Sequence, residues 1–146
     1  FHDVVYTGLP GQDESASAAR ATRNLIDLGV RDEAALRVSS LVLMTIDHIA
    51  PDGDLGAALL CDADLAILAT EPARYAEYVA GVRTDYAHVP DDVFAAGRAV
   101  VLRQLLRRAS TDPGRDGPLF RTDRASQWTH LAVANLTAEL AELEST

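Results

Sequence analysis

Three short stretches of the chain carry residue types that can do chemistry together. The chain opens Phe1-His2-Asp3-Val4-Val5-Tyr6, which sets an imidazole beside a carboxylate. A second imidazole follows an apolar run at Thr45-Ile46-Asp47-His48, and two more acids stand in Asp62-Ala63-Asp64-Leu65. Imidazole nitrogen and carboxylate oxygen are donors that one divalent metal ion accepts together, so His2, Asp3, His48 and Asp64 are candidate ligands. With donors of this kind, an ion keeps open positions for a water and for a phosphate oxygen.

Context strengthens the two later candidates. Between Leu55 and Ala69, the helical stripe Ala57, Leu60, Cys61, Asp64, Ile67, Leu68 is apolar except for Asp64. An ionised carboxylate on such a stripe is costly unless it is paired or coordinates a metal. The other readings of Asp64 are a helix cap or an ion pair with an arginine. Asp62 points about 200° away on a helix, so only one of the two acids can face a site, and Asp64 is the expected one. His48 is expected at the end of a helix flanked by Leu41-Val42-Leu43-Met44 and Ile46. There it is either a ligand or a core histidine bonded to a backbone carbonyl.

The elements that must position these groups read as helices. At 146 residues, with 48% hydrophobic residues, six Pro and nine Gly, the chain is long enough for a single all-α domain with a sizeable core. Phe1 to Tyr6 read as the last turns of a helix closed by Gly8 and Pro10. A helix capped by Asp13 or Ser15 runs through Leu28 to a stop at Gly29. The next opens at Asp32-Glu33 and extends to about His48, and Ala50-Pro51-Asp52-Gly53-Asp54 makes a turn before the Asp64 helix. Pro72 starts a helix with the stripe Tyr75, Tyr78, Val79, Val82, Tyr86, and His88 belongs to its end. Asp91-Asp92 begin a helix that closes on Arg107-Arg108. Residues 110–122 read as one exposed loop before a last helix over 123–144.

Charge narrows the partners. A net charge of -9 argues against a general nucleic-acid binder, which relies on neutralising phosphates. All 13 cations are Arg, a residue suited to bidentate phosphate recognition, although replacement of Lys by Arg throughout a proteome would give the same count. The single Cys61 excludes an internal disulfide and fits a reducing, cytoplasmic setting. No run of 18 apolar residues is present, so no membrane span is expected. With no Lys at all, a P-loop is absent.

The His2-Asp3 pair, His48 three residues after Thr45, and Asp62-Ala63-Asp64-Leu65-Ala66-Ile67-Leu68 together resemble the HD superfamily of metal-dependent phosphohydrolases, in particular a small bacterial branch of predicted HD phosphohydrolases. Asp13-Glu14-x-x-Ser17-Ala18, Arg83-x-Asp85-Tyr86-x-x-Val89-Pro90, Phe94-x-x-Gly97-Arg98-x-x-Val101-Leu102 and Asn135-Leu136-x-x-Glu139-Leu140 resemble the same branch, so the likeness covers nearly the whole of 1–146. Two departures stand. The superfamily pattern begins with a further His on an upstream helix, which the resemblance would place before Phe1, and the branch tends to carry an Arg where Val133 stands.

The resemblance implies a single HD-like helical bundle holding a divalent ion (Mg, Mn, Zn, Fe or Co) on His2, Asp3, His48 and Asp64. It implies hydrolysis of a small phosphorylated substrate, such as a nucleotide, by a metal-activated water. Glu14 would orient water or a second ion, and Arg83 and Arg98 would grip the phosphate, unless they serve as a helix-stabilising acid and as ion-pair partners. The alternative is an HD-fold module without turnover that binds a nucleotide or a protein partner.

Overall fold

The computed structural model of the protein describes residues 1–9 and 11–145, apart from the Arg115 side chain. Among the described residues the fold is all-helical, with seven α-helices, two 3-10 turns and no strand. The chain divides into two compact units, Phe1–Ala57 and Ala58–Thr146.

The N-terminal unit is built on α1 (Gln12–Asp27) and α2 (Asp32–Met44). Ala18 and Ala21 on α1 and Ala35 and Val42 on α2 are buried, and side chains this small let two helix backbones approach closely. A left-handed Gly29, with φ 79°, stops α1 as the sequence predicts. The Gly29 amide donates to the Ile26 carbonyl at 2.8 Å and the Val30 amide to the Leu25 carbonyl at 2.9 Å, the double bond of a Schellman ending. Asp54 closes the following turn, accepting from the Ala57 amide and from Arg37.

The C-terminal unit contains most of α3 (Leu55–Leu65), which tightens into a 3-10 turn over Ala66–Ala69, then α4 (Pro72–Asp85) and α5 (Asp91–Arg108). A 3-10 turn at Gly114–Asp116, the short α6 (Asp123–Ser126) and α7 (Thr129–Glu144) complete it. Its core gathers Leu68, Tyr75, Leu102, Leu119, Phe120, Ala125, Ala132 and Leu136.

Two expectations change here. The stretch 110–122 is not one exposed loop: Leu119 and Phe120 are 1% and 3% exposed, and the Leu119 amide donates to the Arg108 carbonyl at 2.9 Å. Two large apolar side chains at the end of a polar stretch are enough to pull that end into the core. The last helix is also broken after Ser126, and Trp128 sits at the break with its ring edge-on to Phe120, centroids 5.6 Å apart.

Candidate functional site

His2 and Asp3 lie in a run of turns and bends at the start of the N-terminal unit, so Phe1–Tyr6 are not the end of a helix. His2 Nε2 is 3.2 Å from Asp3 Oδ2, with side chains 33% and 67% exposed. That is the separation of an ion pair between neighbouring side chains, and it also matches the roughly 3.0–3.4 Å between two donor atoms each bound about 2.1 Å from one ion. The donor chemistry fits as well.

The turns that carry the pair are tied to α1 by two side chains on one of its faces. Ser17, fully buried, accepts from the Val5 amide at 3.0 Å and donates to the Val5 carbonyl at 3.3 Å. One turn earlier, the Asp13 carboxylate accepts from the Thr7 hydroxyl at 2.6 Å, the Thr7 amide at 2.8 Å and the Leu9 amide at 3.0 Å. These bonds, led by the Thr7 hydroxyl, hold the Asp13 carboxyl below its ordinary range against the opposing effect of burial. Glu14 accepts from the Gly11 amide at 2.5 Å, which makes it an acid of the first turn of α1 reaching back to the cap.

His48 stands beyond α2, which ends at Met44, four residues short of the expected boundary. Thr45 turns back to donate to the Val42 carbonyl at 2.7 Å, and the chain leaves the helix in a series of turns. Half-buried in those turns, His48 has φ 55°, the one non-glycine residue with positive φ among the described residues. Its amide still donates to the Met44 carbonyl at 2.9 Å. A left-handed histidine is uncommon, and such conformations concentrate at functional positions.

In the C-terminal unit the acids of α3 are arranged differently from the expectation. Asp62 is the buried one, 3% exposed, while Asp64 is half-buried. The Asp62 carboxylate accepts from the Arg121 amide at 2.5 Å, the Thr122 amide at 3.0 Å and the Thr122 hydroxyl at 2.6 Å. It therefore secures the entry to α6, where Thr122 caps the Ala125 amide at 3.2 Å. Its burial is accounted for without a metal.

Both arginine candidates have structural partners. Arg83 donates to the Tyr86 and Val89 carbonyls at 2.6 and 3.2 Å and to Asp91 at 2.5 Å, with its guanidinium 4.9 Å from the centre of the Phe94 ring, so it clasps the turn between α4 and α5. Arg98 is 9% exposed and makes a two-point pair with the 5% exposed Glu139, at 2.7 Å from Nε and 3.1 Å from Nη2. The Tyr75 hydroxyl donates to the same carboxylate. Burial works against the charged Arg98, yet Glu139 more than offsets it and keeps the guanidinium charged. Burial, followed by Glu139, pushes the Tyr75 phenol well up. A cleft of about 340 Å³ beside Arg98 is lined mainly by apolar side chains, among them Val82, Phe94 and Val101, together with Tyr86.

Of the four candidate ligands, His2 is thus paired with Asp3 and shares a unit with His48, and Asp64 belongs to the other unit. Among the described residues no group of three or more His, Cys, Asp and Glu is gathered as a metal ion would require. His2 and Asp3 supply two donors of such a set. The sequence puts Tyr75 on an apolar stripe, offers Asp13 as a cap where the structure has Gly11, and leaves Ser17 and Glu139 within motifs without a role of their own. The i, i+4 spacing of Asp13 and Ser17 was the available signal that they share a face. No family model, curated protein or solved structure matches the chain.

Proposed function

We propose that this chain is a metal-dependent phosphohydrolase of the HD type, acting on a phosphoester of a small substrate, with nucleotides the first class to test. The observation that carries this reading is the His2–Asp3 pair, whose donor atoms stand 3.2 Å apart, in the unit that also holds a left-handed His48. The resemblance adds His48 and Asp64 as the remaining ligands. A bound divalent ion would supply a Lewis acid and a water of lowered pKa.

The residues of the chain have separable tasks. Asp3, two-thirds exposed, offers carboxylate oxygens that a bound ion and its water can reach. His2, more covered, holds its ring against that carboxylate. Of the two arginines, Arg83 is the better candidate for a phosphate: it keeps its bonds to the Tyr86 and Val89 carbonyls, but its acidic partner Asp91 is 91% exposed, and an ion pair so open to solvent is weak. Arg98 would have to leave a buried carboxylate, so its role in this reading is to hold the helices together.

A second reading, a helical module that binds without turnover, is favoured by the engagement of Arg98 with Glu139 and of Glu14 with the Gly11 amide. Metal analysis of the purified full-length protein, followed by a phosphatase screen over nucleotides and other small phosphoesters, separates the two. The enzyme reading expects near-stoichiometric divalent ion and metal-dependent hydrolysis, both lost in His48→Ala and Asp64→Ala. A full-length protein that takes up no ion and hydrolyses no phosphoester would replace it with the binding-module reading.

A further inference from the structure

We propose that Ser17 is a positioning residue for the His2–Asp3 pair, acting by fixing the backbone that the pair is mounted on. The inference rests on the reading of that pair as metal ligands and adds a residue that the ligand set does not contain. Ser17 is fully buried on α1, and its hydroxyl is used twice by one residue, accepting from the Val5 amide and donating to the Val5 carbonyl. Val5 lies two residues after Asp3. Because Phe1–Tyr6 form turns rather than a helix, no regular ladder of backbone bonds holds this segment. The Val4 amide bonds only locally, to the Phe1 carbonyl at 3.2 Å.

Position depends on where the tether attaches. Asp13, four residues before Ser17, fastens Thr7 and Leu9, so the segment is held at two points by successive turns of one helix face. Of the two, the Ser17 attachment is the nearer to the ligands. A hydroxyl that binds both polar groups of one residue limits its displacement and its rotation together. Residues that orient metal ligands from behind typically cost 10–100-fold in metal affinity or activity when removed, by an order-of-magnitude rule.

The test compares Ser17→Ala with Thr22→Ala in the full-length protein. Thr22 is a hydroxyl on the same helix that donates to the Ala18 carbonyl at 3.0 Å, a bond within α1 itself. Amide exchange at Val5, the ring shifts of His2 and titration with Mn²⁺ or Zn²⁺ are measured well below the melting temperature. Ser17→Ala is expected to speed Val5 exchange by about tenfold or more and to move the His2 ring signals. It should weaken ion binding by roughly 10–100-fold. Protection of the α1 amides should be kept, and Thr22→Ala should change none of these readouts.

If Ser17→Ala lowers the melting temperature but leaves Val5 exchange, the His2 signals and ion affinity as in the parent, Ser17 is an ordinary core hydroxyl and the proposal is overturned. If the parent protein binds no ion, the phosphohydrolase reading falls first. Val5 exchange and the His2 signals then still decide whether Ser17 positions the pair.

Discussion

Removing Glu139 alone should be among the most damaging single changes in the C-terminal unit. Its carboxylate receives two bonds from Arg98 and one from the Tyr75 hydroxyl, with both charged side chains under 10% exposed. At an effective dielectric near 20, a pair at this separation attracts by about 4–5 kcal/mol, while withdrawing each ion from water costs several kcal/mol. The intact network is therefore close to neutral against an apolar replacement, but a broken one is not. Glu139→Ala leaves a buried guanidinium and phenol without their acceptor, and Arg98→Ala leaves a buried carboxylate, each at a cost of about 3–5 kcal/mol. The double change Arg98→Met/Glu139→Leu should lie within about 2 kcal/mol of the parent. Urea denaturation followed by fluorescence reads this directly, since Trp128 is the only tryptophan of the chain and lies in the same unit. Single variants that each lose less than about 1 kcal/mol, or a double variant whose loss equals the sum of the two, would refute the argument.

Two further outcomes follow from neighbouring groups. Tyr75 has its phenol pKa raised by burial and by Glu139, so its contribution is complete below the ordinary phenol pKa of about 10 and is lost as pH climbs above it. Tyr75→Phe should cost about 1–2 kcal/mol at neutral pH and flatten the alkaline fall in stability; an unchanged alkaline slope would show that Tyr75 is not its source. Asp62→Ala should cost about 2–4 kcal/mol by stranding the Arg121 and Thr122 donors. Asp64→Ala should cost under about 1 kcal/mol in the metal-free protein, because it removes a half-buried charge rather than packing. Equal losses at the two positions, measured by the same denaturation, would remove the distinction drawn between them.

The helices that sequence places well are those with local punctuation. Gly29 ends α1 through backbone bonds that only its left-handed conformation permits, and Pro72 opens α4 at the first helical position. Asp91-Asp92 and Arg107-Arg108 bracket α5 in the order that the helix dipole favours. Where an element depends on distant partners, local signals are silent. Leu119 and Phe120 follow a polar stretch, and only the core of the C-terminal unit explains their burial. The turns at Phe1–Tyr6 are held by Ser17, 12 residues beyond Val5, and the Thr7–Leu9 stretch after them by Asp13, while Phe1, Val4 and Val5 by themselves suggest a helical face.

Asp62 and Asp64 show why a candidate site is harder to read than an element. The stripe Ala57, Leu60, Cys61, Asp64, Ile67, Leu68 follows from helical spacing, and Ala57, Cys61 and Leu68 on it are indeed buried. Periodicity identifies a face, but a helix enclosed on more than one side has no unique buried face. Asp62, off the stripe, is covered because backbone amides at Arg121 and Thr122 reach it from about 60 residues away. Those donors belong to a chain entry that must satisfy its own amides, and nothing in the spacing of α3 announces them. The expectation that a buried acid needs a partner was sound, and the partner was peptide N–H and a threonine hydroxyl. A buried carboxylate thus indicates a metal only after the backbone donors within its reach have been counted. By that criterion Asp62 is a structural acid. Asp64 and Asp3, with more solvent around them, are the carboxylates on which the metal reading should be tested.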